Sequence, residues 1–348
     1  MTPEPSAATA ELPTIDPNPV LPEGFPMPQD PSLLEPGASR VRVRSRTSRF
    51  PFPIPNGWFI VAAADELDPG QLKAVHYFGD DLVVYRTASG EPPTTQAYCP
   101  HLGAHLAVGG KVDGECIACP FHGWTFDGTG QCVDIPYAET ERIPAKARLR
   151  SYPTIERNGM IWAWHHLEEG EPFFEVPVVP EVEDPEWLEP MVREFRIATS
   201  CQEMAENNHD FAHFKFVHGT DAIPEANERV EGTYKYVESG GLHRETFGLG
   251  LGVLRIPGFM TFFSSVTPVD EDNVHIRWVF TAPASSGPAM LDKIADGFTS
   301  GVSQDIPIWE NKVYRPRPVL TKGEGGIAQH RRWSRQFYSF PDGEPDEI

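Results

Sequence analysis

Two short runs, Cys99-Pro-His101 and Cys119-Pro-Phe-His122, constrain this 348-residue chain more than any other feature. Each sets one thiolate beside one imidazole at metal-ligand spacing. The 17 residues between His101 and Cys119 (102 to 118) allow two hairpin-like loops to converge on one centre. Loops this tight need residues lacking a Cβ, and Gly103 and Gly123 stand where they are required. Zinc is one reading, because Cys116-Ile-Ala-Cys119 is also a C-x-x-C with histidines nearby. An iron-sulfur centre with mixed ligands is the other.

The flanking stretches "CPHLGAHL" and "CPFHGWTFDGTGQC" resemble Rieske loops throughout. The resemblance implies a [2Fe-2S] cluster with Cys99 and Cys119 on one iron and His101 and His122 on the other. Replacing two thiolates with neutral imidazoles removes negative charge and raises the potential to roughly −150 to +300 mV, against about −400 mV for all-cysteine ferredoxins. Such a site accepts electrons from a stronger reductant and passes them on. Rieske proteins of respiratory complexes carry an extra cysteine in each loop; this chain has Ala104 and Phe121 there, which resembles the oxygenase and ferredoxin branch. His105, Cys116, Cys132 and Cys201 are read as loop or core residues.

The length exceeds that of a lone cluster domain and points to two domains. A net charge of −21, from 29 basic and 50 acidic side chains, disfavours nucleic acid as a partner. Five cysteines, two of them assigned to the cluster, leave no disulfide framework, so a reducing, cytoplasmic setting is expected. No apolar run approaches the roughly 18 residues of a membrane span, and no signal-peptide pattern opens the chain.

Residues 1–39 hold ten prolines among Ala, Ser and Glu and read as a flexible or wrapping arm, taken to residue 48. Five arginines between Arg40 and Arg49 read as a solvated stretch, with docking to an acidic partner or a neighbouring subunit as the other possibility. Short β-rich runs such as "WFIVAAA", "DLVVYR" and "MIWAW" then predict a small antiparallel β domain over 49–166, presenting its metal on loop tips. The acidic, Pro-rich "EEGEPFFEVPVVPEVEDPEW" reads as a crossing into a second domain over 167–348. There "NVHIRWVF", "GVLRIPGFMTFFSSV" and "HRRWSRQFYSF" read as strands of one antiparallel sheet, and with two helices they make the fold α+β.

The run "EMAENNHDFAHFKFVH" holds a second metal motif. On a continuous helix Glu206, Asp210 and His213 share one face, and His218 lies just past the helix end at Gly219. Two imidazoles plus a distant carboxylate make a facial triad for non-haem iron(II), with positions open for dioxygen. The expected third ligand is Asp305, which interrupts the apolar stripe Ile294, Phe298, Val302 and Trp309 of a helix predicted over Pro288 to Lys312. A carboxylate there is costly to bury unless it pairs or binds metal, the alternative being a salt bridge to Arg315 or Arg317. Asp292 and Asp296 lie off the stripe, and Pro307 is expected to loosen the helix beyond Asp305.

Together "CPH…CPFHGW", "ENNHDFAHFKFVH" and "SQDIPIWENK…RRWSRQFY" make the chain similar to the terminal component of Rieske non-haem iron oxygenases over about residues 50–340. The last segment and "FPFPIPNGWF" resemble the 3-ketosteroid 9α-hydroxylase and sterol 7-desaturase-like branch. The resemblance implies a Rieske antiparallel β domain and a helix-grip catalytic domain, in a homotrimer served by a ferredoxin or flavin/iron-sulfur reductase drawing on NAD(P)H. It makes Asp210 a bridge carrying electrons from His122 of a neighbouring subunit to the iron. The implied reaction is hydroxylation of an apolar ring substrate; desaturation, aromatic hydroxylation and O-demethylation use the same iron chemistry. A bare electron carrier would need the first half only. Strands around Val253–Val266 and Val274–Phe280 are the expected pocket lining, with Arg255 and Arg277 as their basic groups.

Overall fold

The computed structural model describes residues 49–340 apart from 140–141, 222, 224–225 and 240, so the Pro-rich arm and the arginine run up to residue 48 lie outside the described residues. Arg49 is anchored: its guanidinium donates to the carbonyls of Glu310 and Ala198, and it covers the ring of Phe50.

The first half is built from three small antiparallel sheets. Strand Gly57–Ala63 pairs with Met160–His165, which also pairs with Thr154–Arg157. Apolar residues fill both faces of this sheet because both are covered. Trp58, Ile60, Trp162 and Trp164 pack on one side, and Phe59, Val61, Ile161 and Ala163 on the other, following the two-residue period of a strand. A second sheet runs Leu72–Tyr77, Asp80–Tyr85, Thr94–Gln96 and Ser151–Tyr152. A third, Lys111–Asp113, Cys116–Ala118, Thr125–Phe126 and Cys132–Asp134, stands over a core of Leu106, Ile117, Phe126 and Leu149.

The second half is a seven-stranded antiparallel sheet in the order Met191–Ile197, Val274–Thr281, Met260–Pro268, Leu251–Ile256, Leu242–Phe247, Tyr234–Ser239 and Asn227–Glu231. One face turns Leu251, Val253, Phe263 and Val279 toward Trp58 and Trp162. The other turns Leu254, Met260, Phe262 and Phe280 toward the long helix Pro288–Asn311. Fully buried side chains such as Phe263 and Phe280 each contribute about 1.5–3 kcal/mol of burial free energy. The two halves share their cores: Phe59 fits so closely beneath Gly250 that a Cβ there would lie 2.2 Å from the ring. The Pro-rich crossing is also packed, with Val176 and Val179 buried beside Trp164.

Among the described residues four α-helices, not two, accompany the sheet: α1 Cys201–Asn207, α2 Ala212–Phe216, α3 Pro288–Asn311 and α4 Gly325–Ser334. The segment "HRRWSRQFYSF" is therefore not a strand. It is the end of α4 and a following 3-10 turn, and its buried Ile327, His330, Ser334 and Phe337 recur at steps of three and four. Helix α3 runs through Pro307 to Asn311, whose side chain donates to the Pro307 carbonyl at 2.8 Å. No helix among the described residues is long and apolar enough to cross a membrane.

Candidate metal centres

The two cysteine-histidine runs form loops of the same backbone design. Cys99 N–H donates to the Ala104 carbonyl at 2.9 Å and Cys119 N–H to that of Trp124 at 2.8 Å. Each loop closes with a glycine N–H on the cysteine carbonyl, Gly103 at 2.9 Å and Gly123 at 3.1 Å. Both glycines have left-handed backbones, with φ of +76° and +72°. Cys99 and Cys119 are buried with their thiols in contact, and burial, with the second thiol adding to it, pushes Cys99 up to about 11. A metal reverses that preference by holding the thiolate.

The imidazoles of His101 and His122 meet edge to face with centroids 4.7 Å apart, and Trp124 stacks on His101 at 4.6 Å. Nδ1 of His101 is buried and has no hydrogen-bond partner among the described residues, as suits a nitrogen reserved for a metal. The two thiols thus meet each other and the two imidazoles meet each other, the donor types that a mixed-ligand iron-sulfur cluster takes. The rim is apolar and open: Leu102, Phe121 and Tyr137 are all exposed. The leftover cysteines are free; Cys201 Sγ donates to the Val266 carbonyl and Cys132 Sγ to that of Asp134. His105 Nδ1 accepts from Ala107 N–H.

The second motif is not one continuous helix. Asp210 lies between α1 and α2, because its carboxylate accepts from Ala212 N–H at 3.2 Å and so opens a new helix in place of continuing the first. Glu206 faces elsewhere, in a two-pronged ion pair with Arg331 of α4. The break brings His213 and His218 together with Asp305 from α3, so that one ligand atom of each lies within 4.8 Å of the others. His213 Nδ1 donates to the Asp210 carbonyl, and His218 Nδ1 donates to Gln304 Oε1 at 3.0 Å. Both Nδ1 protons are therefore held, which leaves the Nε2 lone pairs facing inward; His218 Nε2 is 3.3 Å from Asp305 Oδ2. Burial pushes the Asp305 carboxyl up, opposed by the nearby imidazoles. Asp305 pairs with neither Arg315 nor Arg317, while Asp292 and Asp296 pair with Arg193 on the outside.

Asn207 is a further member that spacing does not single out. Its Nδ2 lies 3.2 Å from His213 Nε2, and its side chain also hydrogen-bonds Asp305. The only hint is a buried-end amide six residues before a ligand. Beneath the break, His209 rests on the buried Lys235, whose Nζ donates to His209 Nε2 at 3.4 Å and His330 Nδ1 at 3.2 Å and lies 3.3 Å from Glu228. This ammonium has an acceptor for every proton, and it ties the α1–α2 break to α4 and to the edge of the sheet.

The two arginines expected in the pocket are not available to a ligand. Arg255 is held by Glu181 and Glu245, and Arg277 by Glu194 and the Tyr77 hydroxyl, on the sheet face turned to the first half.

A Rieske [2Fe-2S] domain model matches residues 57–153, and a 3-ketosteroid 9alpha-hydroxylase C-terminal domain model matches residues 163–338. Cholesterol 7-desaturase nvd 1 of Ciona intestinalis is 34% identical over 82% of this chain and 69% of its own length. The oxygenase component of 3-ketosteroid-9-alpha-monooxygenase of Mycolicibacterium smegmatis is 32% identical over 84% of each chain. In fold the chain is similar to NdmA of Pseudomonas putida CBB5, with a TM-score of 0.67 at 22% identity over 80% of this chain and 88% of that one. Dicamba monooxygenase aligns with a TM-score of 0.64 at 19% identity over 81% and 97%. On these matches, and on two sites built of the donors just described, the chain belongs to the Rieske non-haem iron oxygenases, oxidoreductases that use a [2Fe-2S] cluster, a mononuclear iron and dioxygen.

Proposed function

We propose that Cys99, His101, Cys119 and His122 hold the cluster, that His213, His218 and Asp305 hold the mononuclear iron, and that the reaction is hydroxylation of a 3-ketosteroid-like ring substrate. The observation that carries this reading is the meeting of His213, His218 and Asp305 from separate elements within 4.8 Å, with both Nδ1 protons already taken. When bound, the cluster supplies single electrons and the iron activates dioxygen. The chain's own residues set the geometry: the Asp210 carbonyl and Gln304 orient the two imidazoles, and Asn207 hydrogen-bonds Asp305. His213, His218 and Asp305 would hold the iron as three protein ligands, and the coordination positions they do not fill would take dioxygen.

In this reading residues 49–166 are the cluster domain, 167–348 the catalytic domain and 1–48 an arm. The partner that feeds the oxygenase component is a reductase drawing on NAD(P)H, of flavin/iron-sulfur or ferredoxin type. The exposed Leu102, Phe121 and Tyr137 rim supports a homotrimer in which one subunit's cluster loops meet the next subunit's α1–α2 break. Asp210 then bridges His122 of one subunit to His213 of the next. Desaturation is the second reading, favoured by the 34% identity to a cholesterol 7-desaturase.

Aerobic turnover with NADH, a surrogate reductase and a panel of 3-ketosteroids, sterols and methoxyaromatics, followed by product mass spectrometry, tests both. Gain of one oxygen on a ketosteroid is the expected result. Loss of two hydrogens moves the assignment to desaturation, and loss of a methylene to demethylation.

A further inference from the structure

The break between α1 and α2 has a single buried anchor. From Asn207 to Phe214 only His209 is buried, and its ring lies against that of His330 from α4 with centroids 4.4 Å apart. Both of its nitrogens are engaged. Lys235, on the strand Tyr234–Ser239, brings Nζ to 3.4 Å from His209 Nε2, and Glu228 Oε1 lies 3.4 Å from Nδ1. An ammonium can only donate, so Nε2 presents its lone pair and Nδ1 carries the proton that faces Glu228. The same ammonium donates to His330 Nδ1 at 3.2 Å. His330 Nε2 in turn donates to Ser334 Oγ at 3.2 Å, whose own proton goes to the His330 carbonyl at 2.8 Å. One cation thus sets the tautomer and the orientation of two neutral imidazoles.

Asp210 follows His209 directly. Its carboxylate accepts from Ala212 N–H within its own turn, and its carbonyl accepts from His213 Nδ1. The peptide shared by His209 and Asp210 passes any shift of the imidazole on to that carboxylate. Lys235 is 1% exposed, and burial lowers its pKa. Its Nζ lies 4.4 Å from the centroid of the Trp333 ring, a space that a methionine of similar length would fill without the desolvation of a charge. Packing therefore does not account for a lysine here, whereas donation to the two imidazoles does.

We infer that Lys235 is a positioning residue for electron transfer: by clamping His209 it sets where the Asp210 carboxylate stands. The inference rests on the reading of Asp210 as the bridge and names the group that holds the bridge in place.

The test compares the metal-loaded wild-type protein with Lys235→Met, Asp210→Ala and the double variant, by single-turnover oxidation of the pre-reduced cluster and by hydrogen-exchange mass spectrometry. Lys235→Met should keep both metals, speed exchange of the amides between α1 and α2 while those of α3 stay protected, and slow cluster-to-iron transfer about tenfold. The double variant should be no slower than Asp210→Ala, because both changes act through one carboxylate. His209→Leu should reproduce the loss, and His209→Gln, which keeps an acceptor for the ammonium and a donor toward Glu228, should recover most of it. That pair decides the matter if Lys235→Met does not fold, and equal rates in the two overturn the inference. Transfer at the wild-type rate in Lys235→Met, or losses that multiply in the double variant, likewise overturn the inference alone. Transfer at the wild-type rate in Asp210→Ala removes the bridge and the inference with it.

Discussion

The two proposed metal centres of this chain are built in opposite ways. The cluster loops are local: each six-residue turn from cysteine to Ala104 or Trp124 makes its own backbone bonds, and a single glycine closes it. The triad is assembled from a distance. The short helix α2 and the turn after it supply the imidazoles, a long helix far down the chain supplies the carboxylate, and ion pairs from Glu206 to Arg331 and from Glu203 to Lys312 tie the helices together. A self-contained loop binds its metal with little help from the rest of the molecule, whereas a dispersed triad depends on the packing of α1, α3 and α4. The first arrangement resists change elsewhere in the fold, and the second can be tuned from outside the ligand set.

The contrast is sharpest if each centre survives damage to the other. His213→Ala should abolish turnover while leaving the visible absorption of the cluster intact; a bleached cluster would break the separation. Asp210→Ala keeps the main-chain carbonyl that holds His213 and should retain both metals by elemental analysis, yet slow cluster-to-iron transfer about 10- to 100-fold in single-turnover measurements through loss of the bridging carboxylate. Near-normal activity would remove Asp210 from the electron path. Gly123→Ala tests the local design of the loops. With φ at +72° and Pro136 Cγ 3.1 Å from the new Cβ, it should cost about 1–2 kcal/mol by denaturant titration and lower cluster occupancy, without touching iron at the triad. Cys116→Ser should have the smallest effect, within about 0.5 kcal/mol and with iron and sulfide content unchanged. Loss of the cluster in that variant would return Cys116 to the ligand set.

This difference in construction also decides what could be read from the amino acids alone. The cluster loops are legible because ligands, glycines and flanks are contiguous. Asp305 is legible through energetics: an acid within an apolar helical stripe needs a reason to be buried, and α3 does run from Pro288 to Asn311 with Asp305 on its buried side. Side-chain competition with the backbone is not visible in periodicity, so the helix break made by Asp210 was hidden. The end of α4 looks like a strand because Trp333, Phe337, Tyr338 and Phe340 have strand-like composition, and only the spacing of its buried residues reveals a helix. Asn207 and Lys235 carry no motif. Their importance lies in what surrounds them, and packing between elements brings that together.

The contact of Phe59 beneath Gly250 has a mechanical consequence. With an aromatic ring wedged against bare backbone and a core running unbroken between the halves, the chain has no hinge there. The cluster loops cannot swing toward the triad as a tethered carrier would, and no stirring motion paces the electron's journey within a subunit. The separation between the cluster loops and the triad of one subunit is therefore set once, at folding.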